Sequence, residues 1–159
     1  MLGHSEENKY LGLNEKTTNL KLKKSLSFNF NVFLCFGNEQ KENDYDKLVE
    51  KLANKIDEIF LDVDIIKNGQ NIVLCYEPIF AIGSGNALSI NEVEEIILKL
   101  KAKLLEKYQL QFEILYGGSV NLSNVKDFLN SKIIDGVLIG NCGLDVNNIK
   151  QILLMDKKK

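Results

Sequence analysis

Four short apolar runs alternate with stretches of helical spacing along this chain, and that alternation restricts its fold more than any other feature. The runs are Val32–Phe36, Ile72–Tyr76, 112–116 and 133–140, each ending in glycine or a polar loop. Between them, Leu48, Leu52, Ile56, Ile59 and Phe60 recur near a 3.6-residue period, as do Val93, Ile96, Ile97, Leu100, Leu104 and Leu105. The second of these helices opens on Ser89-Ile-Asn-Glu92, a capping box. Further helices are expected over Glu15–Ser27, 122–129 and Val146–Met155. Strands that alternate strictly with helices must be joined by right-handed parallel crossovers. Runs apolar on both faces suit buried parallel strands. The fold class is therefore α/β, and periodicity leaves open a doubly wound sheet or part of a (β/α) barrel. In either, functional residues belong at the C-terminal ends of the strands.

The 159 residues, with no low-complexity linker, read as one domain over 1–159. Twenty Lys+Arg against 22 Asp+Glu give a net charge of −2, which leaves no electrostatic footprint for nucleic acid. Lys157, Lys158 and Lys159 read as a solvated tail. No apolar run is long enough to span a membrane, and residues 1–7 lack the charged and apolar regions of a signal peptide. Cys35, Cys75 and Cys142 are odd in number and widely spaced, which argues against a disulfide framework or a metal site. They fit a reducing, cytoplasmic setting; an organellar form stays open, because a targeting segment would lie upstream.

Three places carry chemistry. The run Ile72–Tyr76 delivers Glu77 at its end, and Pro78 holds the preceding residue extended. Taken alone, such a Glu is most simply a solvated side chain. His4 is the only histidine, and near a terminus it too is most simply solvated. Gly117-Gly118-Ser119 makes either a plain tight turn or an anion site, since paired glycines let a ligand approach the backbone and Ser119 offers an amide and a hydroxyl.

The words around these residues resemble one family. Tyr76-Glu77-Pro78-Ile79-Phe80-Ala81-Ile82-Gly83-Ser84-Gly85 resembles the catalytic-glutamate strand and lid loop of the triosephosphate isomerases, Y-E-P-[VI]-W-A-I-G-T-G, departing at Phe80 and Ser84. Gly3-His4-Ser5-Glu6 resembles the loop of the catalytic histidine, with Glu7 and Asn8 in place of two arginines. Cys35-Phe36-Gly37-Asn38 resembles C-I-G-E, with Asn38 in place of Glu. Tyr116-Gly117-Gly118-Ser119-Val120 matches Y-G-G-S-V, and the stretch from Asp135 to Leu144 resembles D-G-F-L-V-G-G-A-S-L, with Asn141 replacing the second glycine. Asn tolerates positive φ, so the Asn141 amide is expected still to face a phosphate.

The resemblance implies a parallel (β/α) barrel of the triosephosphate isomerase type, incomplete, with about strands 5–8 and their helices; Met1-Leu2 would be a stub of strand four. It implies interconversion of dihydroxyacetone phosphate and glyceraldehyde 3-phosphate. Glu77 would be the base and His4 the electrophile. Pro78 to Gly85 would close as a lid. Gly83, Ser119, Gly140 and Asn141 would hold the phosphate, with Glu6 and Tyr116 as supporting polar partners. No metal or organic cofactor is implied. The partner is a small phosphorylated triose, with no nucleic acid or membrane, and the complete family protein is a homodimer. Strand one of the family supplies an Asn and a Lys for which nothing here stands in. The 159-residue chain by itself is thus expected to have little activity and to need a complementary piece. The alternative is a non-catalytic barrel fragment acting as a binding or assembly partner. A different phosphate-binding half barrel would explain the glycine loops but not Gly-His-Ser-Glu together with Tyr-Glu-Pro.

Overall fold

The computed structural model of the chain describes residues 1–82 and 87–155. Its helices are α1 (Ser5–Leu11), α2 (Glu15–Ser27), α3 (Tyr45–Ile59), α4 (Ile65–Asn68), α5 (Ile90–Tyr108), α6 (Val125–Asn130) and α7 (Val146–Met155). Its strands are β1 (Val32–Phe36), β2 (Ile72–Tyr76), β3 (Ile114–Tyr116) and β4 (Gly136–Val137). They form one parallel sheet in the order β1-β2-β3-β4. Each strand pairs with the next along the chain and the order never reverses, which is how a barrel is wound and not how a doubly wound sheet is. Leu2 adds a parallel bridge to Leu34, donating its N–H to Phe33 O and accepting from Cys35 N, both at 2.9 Å. The expected stub of a further strand is therefore there, on the outer side of β1.

The third and fourth apolar runs make shorter strands than their length suggests. Phe112 is buried but precedes the ladder, packing edge-on against Tyr108. In the last run, hydrogen bonds from Asp135 N to Ile114 O (3.1 Å) and from Leu138 N to Tyr116 O (2.9 Å) bracket just two paired residues. β4 lies at the end of the sheet order, so only one of its sides is paired among the described residues. An apolar run predicts burial, but strand length also needs a partner on which to extend the ladder.

Helices cover one face of the sheet. Leu34, Leu74, Tyr76, Ile114 and Tyr116 point into it and are fully buried, together with Leu52 and Ile56 of α3 and Ile97 and Leu100 of α5. The opposite face is partly open: Phe33 is 44% exposed and Val73 and Leu115 are half-buried, while Cys35 and Cys75 are buried. Asn19 of α2 is buried and donates to Ile59 O (2.7 Å) and Leu61 O (2.8 Å), satisfying carbonyls where α3 ends. On the surface, Lys99, Lys103 and Lys107 of α5 pair with Asp46, Glu50 and Asp57 of α3. No helix among the described residues is long and apolar enough to cross a membrane.

The capping box forms as the sequence predicts. Ser89 Oγ accepts from Glu92 N at 3.3 Å, and Glu92 Oε2 accepts from Ser89 N at 2.9 Å. The Ser89 N–H and hydroxyl, both donating to Glu92 Oε2, hold that carboxyl down at about 2. Ser89→Ala is expected to cost about 1 kcal/mol, read as a lower urea midpoint. Because the folded pKa is depressed, the Glu92 contribution is present above the ordinary value of 4.5 and fades as pH falls toward about 2. The difference between Ser89→Ala and the parent chain should shrink across that window.

Candidate active site

β2 ends at Tyr76, and the next residue, Glu77, keeps the ladder going by donating its N–H to Phe36 O at 2.8 Å. Alternation along the strand turns the Glu77 side chain to the face opposite the helices. It is nonetheless only 2% exposed, because the start of the chain lies over it. Leu2 binds β1, the backbone turns at Gly3, and α1 begins after His4. His4 is the N-cap of α1 and accepts from Glu6 N through Nδ1 at 3.3 Å. With Nδ1 an acceptor, the proton of a neutral ring sits on Nε2. That nitrogen lies 3.3 Å from Glu77 Oε1. The second oxygen, Oε2, accepts from Ser5 N at 3.2 Å. Burial pushes the Glu77 carboxyl up from its ordinary value, and His4 and the Ser5 amide pull it part of the way back. The pair can therefore hold, give and take a proton.

Close backbone packing sets this carboxylate in place. A Cβ on Gly37 would stand 1.7 Å from the Glu77 carbonyl oxygen, so no side chain fits there. Cys35 and Cys75 are buried register partners on β1 and β2, and Cys75 lies two residues before Glu77. Hydrogen bonding to Cys75 and burial push the Cys35 thiol far up, so it stays protonated.

A cleft of about 470 Å³ opens beside the pair. Its lining includes His4, Glu6, Glu77, Ser119, Gly140 and Asn141. Five of the residues singled out in the sequence thus share this cleft with Glu77, after β2, β3, β4 and the Leu2 bridge, although they are spread over most of the chain. No lysine lines this cleft among the described residues, and the chain has no arginine. Donors to an anion here are backbone amides and neutral side chains.

Individual roles differ from a sequence-only picture. Ser119 Oγ donates to Ala81 O at 2.6 Å, so its hydroxyl proton ties the loop after β3 to the segment after Pro78. Tyr116 does not line this cleft: it is fully buried on the helix-covered face, and its hydroxyl oxygen accepts from Leu88 N at 3.2 Å. Glu6 meets the histidine through its amide; its carboxylate is largely exposed, 4.0 Å from Nδ1. Asn141 opens a short 3-10 turn, Asn141–Leu144, without positive φ, since the described non-glycine residues with positive φ are Asn29, Asp62 and Gln109. Its tolerance of left-handed backbone is therefore not what suits it to the position. Gly83 lies outside the described residues, as do Ser84 and Gly85. Asn38 holds the turn after Pro78: Ile79 N donates to Asn38 O (2.9 Å), and Tyr76 Oη donates to Asn38 Oδ1 (3.0 Å). Sequence reasoning missed the Ser5 amide, because a backbone donor leaves no mark in residue type.

A sequence model of the triosephosphate isomerase family matches residues 1–155. The chain is 32% identical to a triosephosphate isomerase of Alkaliphilus oremlandii over 157 residues, which are 96% of this chain and 63% of that protein. It is 35% identical to one of Borrelia garinii over 158 residues, covering 96% and 62%. A third, from Campylobacter concisus, is 34% identical over 148 residues, covering 93% and 60%. The chain spans about three-fifths of the length of the curated relatives it matches.

Proposed function

Because this chain belongs to the triosephosphate isomerase family, we propose that its site interconverts dihydroxyacetone phosphate and glyceraldehyde 3-phosphate. One observation carries the reading: His4 Nε2 stands 3.3 Å from Glu77 Oε1 while Nδ1 is engaged by Glu6 N. A Glu base beside a neutral histidine is the family's known chemistry, and the residue roles follow that precedent. Glu77 takes a proton from the carbon next to the carbonyl and returns it to the neighbouring carbon. His4, through its Nε2–H, polarises the carbonyl and stabilises the enediolate. Backbone amides near Ser119, Gly140 and Asn141 face the phosphate, and Gly83 is assigned there by resemblance. The resemblance assigns Pro78 to Gly85 as the segment that covers the substrate, of which residues 83–85 lie outside the described residues. The raised pKa of Glu77 suits a base that must be ionised at rest yet accept a proton during turnover.

A second reading, a non-catalytic binding or assembly partner, is favoured by the charge of the cleft. Two carboxylates, Glu6 and Glu77, line it with no lysine among the described residues, which is a poor setting for a phosphate dianion unless a cationic side chain is supplied from elsewhere.

Proton exchange tests the choice. The protein purified from its own cell is incubated with dihydroxyacetone phosphate in D2O and followed by proton NMR. The isomerase reading expects glyceraldehyde 3-phosphate to appear, with deuterium on the carbon next to the carbonyl. Neither product nor deuterium would sink that reading and favour the partner.

A further inference from the structure

The loop that carries His4 is held from behind by a side chain with no part in the chemistry above. Gly3 precedes His4 and has a left-handed backbone, with φ +72°, where a Cβ would stand 2.7 Å from the Cys35 carbonyl oxygen. Its N–H donates to Glu7 Oε2 at 2.9 Å. The other oxygen of that carboxylate, Oε1, accepts from Lys21 Nζ on α2 at 2.9 Å. The Glu7 amide in turn donates to His4 O at 2.9 Å. One carboxylate therefore joins the turn before the histidine, the first turn of α1 and the middle of α2. The Lys21 ammonium holds the Glu7 carboxyl below its ordinary value, so it stays ionised.

This arrangement answers a physical need. Glycine has more backbone freedom than any other residue, so Gly3 does not fix its own conformation. α1 buries none of its residues, so packing does not fix it either. The direction of the His4 side chain follows from both. A charge-assisted hydrogen bond, roughly twice as strong as a neutral one, supplies the missing restraint. The sequence marks the spot, since Glu7 stands where the family has an arginine, which could not accept from Gly3 N.

We propose that Glu7 is a positioning residue for His4: its carboxylate, balanced by Lys21, fixes the Gly3 peptide and so aims His4 Nε2 at Glu77. The catalytic meaning of this role rests on the isomerase reading. The positional role itself does not need turnover in order to be measured.

His4 is the only histidine in the chain, so any histidine ring N–H seen by NMR belongs to it. Held against a buried carboxylate, its Nε2–H is expected as one slowly exchanging proton resonance downfield of the amides. Glu7→Ala should lose that resonance to exchange with water, while the circular dichroism spectrum is kept and melting moves by no more than a few degrees. Glu7→Gln keeps a carbonyl oxygen for Gly3 N and should retain the resonance. The exchange of charges, Glu7→Lys with Lys21→Glu, restores an ion pair but leaves no acceptor on residue 7. It should melt near the parent chain and still lose the resonance. If the exchanged variant keeps the resonance, or the parent chain lacks it, the positioning role is overturned. A resonance that responds in this pattern, together with no turnover by the protein purified from its own cell, would sink the isomerase reading and leave the positioning role standing.

Discussion

Glu77→Gln, made in protein that turns over triose phosphate, is expected to lower kcat by ~10²–10⁴-fold, the range typical of losing a general base, with KM little changed. The amide keeps an oxygen for the Ser5 N–H and fills the same volume, while its NH2 group faces the His4 Nε2–H, so the proton acceptor and the bond to His4 are lost together. A change confined to KM would assign Glu77 to binding and sink its role as base. The same substitution should raise thermal stability at neutral pH. The folded carboxyl has a raised pKa, mainly because burial penalises its charge. Such a group favours the fold when protonated, and that advantage is lost as pH rises through the folded value. Below the ordinary value of 4.5 the parent chain and Glu77→Gln should therefore melt alike. Above the raised folded value, Glu77→Gln should melt higher, each kcal/mol appearing as about 2–4 °C. A parent chain that melts higher than Glu77→Gln at pH 8 would mean that the contacts with His4 and Ser5 outweigh burial.

The 159-residue chain on its own is expected to self-associate in solution at micromolar concentration. Its sheet has helices on one face, while the other presents Phe33, Val73 and Leu115 to water. β4 also offers an unpaired edge among the described residues. Exposed apolar faces and free parallel edges are what sheets pair through. Sedimentation should find assemblies larger than 18.0 kDa. Phe33→Lys, which places a charge on the open face without touching the helix layer, should move the distribution toward smaller species. A soluble monomer that melts cooperatively would sink this prediction.

Much of the frame was legible from residue pattern alone. β1, β2, α2 and α7 fall on their expected bounds, because their signals are local: apolar runs with turn residues after them, and helical spacing. β3 and β4 came out shorter, because strand length depends on a neighbour that no local pattern describes. The site was legible to a different depth. His4 and Glu77 were named from the sequence by family resemblance, but their 3.3 Å approach is a product of the whole sheet. The Gly3–Glu7–Lys21 brace shows in the sequence only as Glu7 standing where the family has an arginine. Its meaning needed the geometry, since one end of it is a backbone N–H.

The lack of room for a Cβ at Gly37, which would stand 1.7 Å from the Glu77 carbonyl oxygen, bears on how such a chain can vary over time. A library of all single substitutions, sorted only for folding, should pass many replacements of Glu77, some of them ahead of the parent. The same sort should discard nearly every replacement of Gly37, which has no part in the chemistry. Selection for a stable fold and selection for turnover would thus pull in opposite directions at the carboxylate and agree at the glycine. Under relaxed demand for activity, position 77 should drift first and position 37 last.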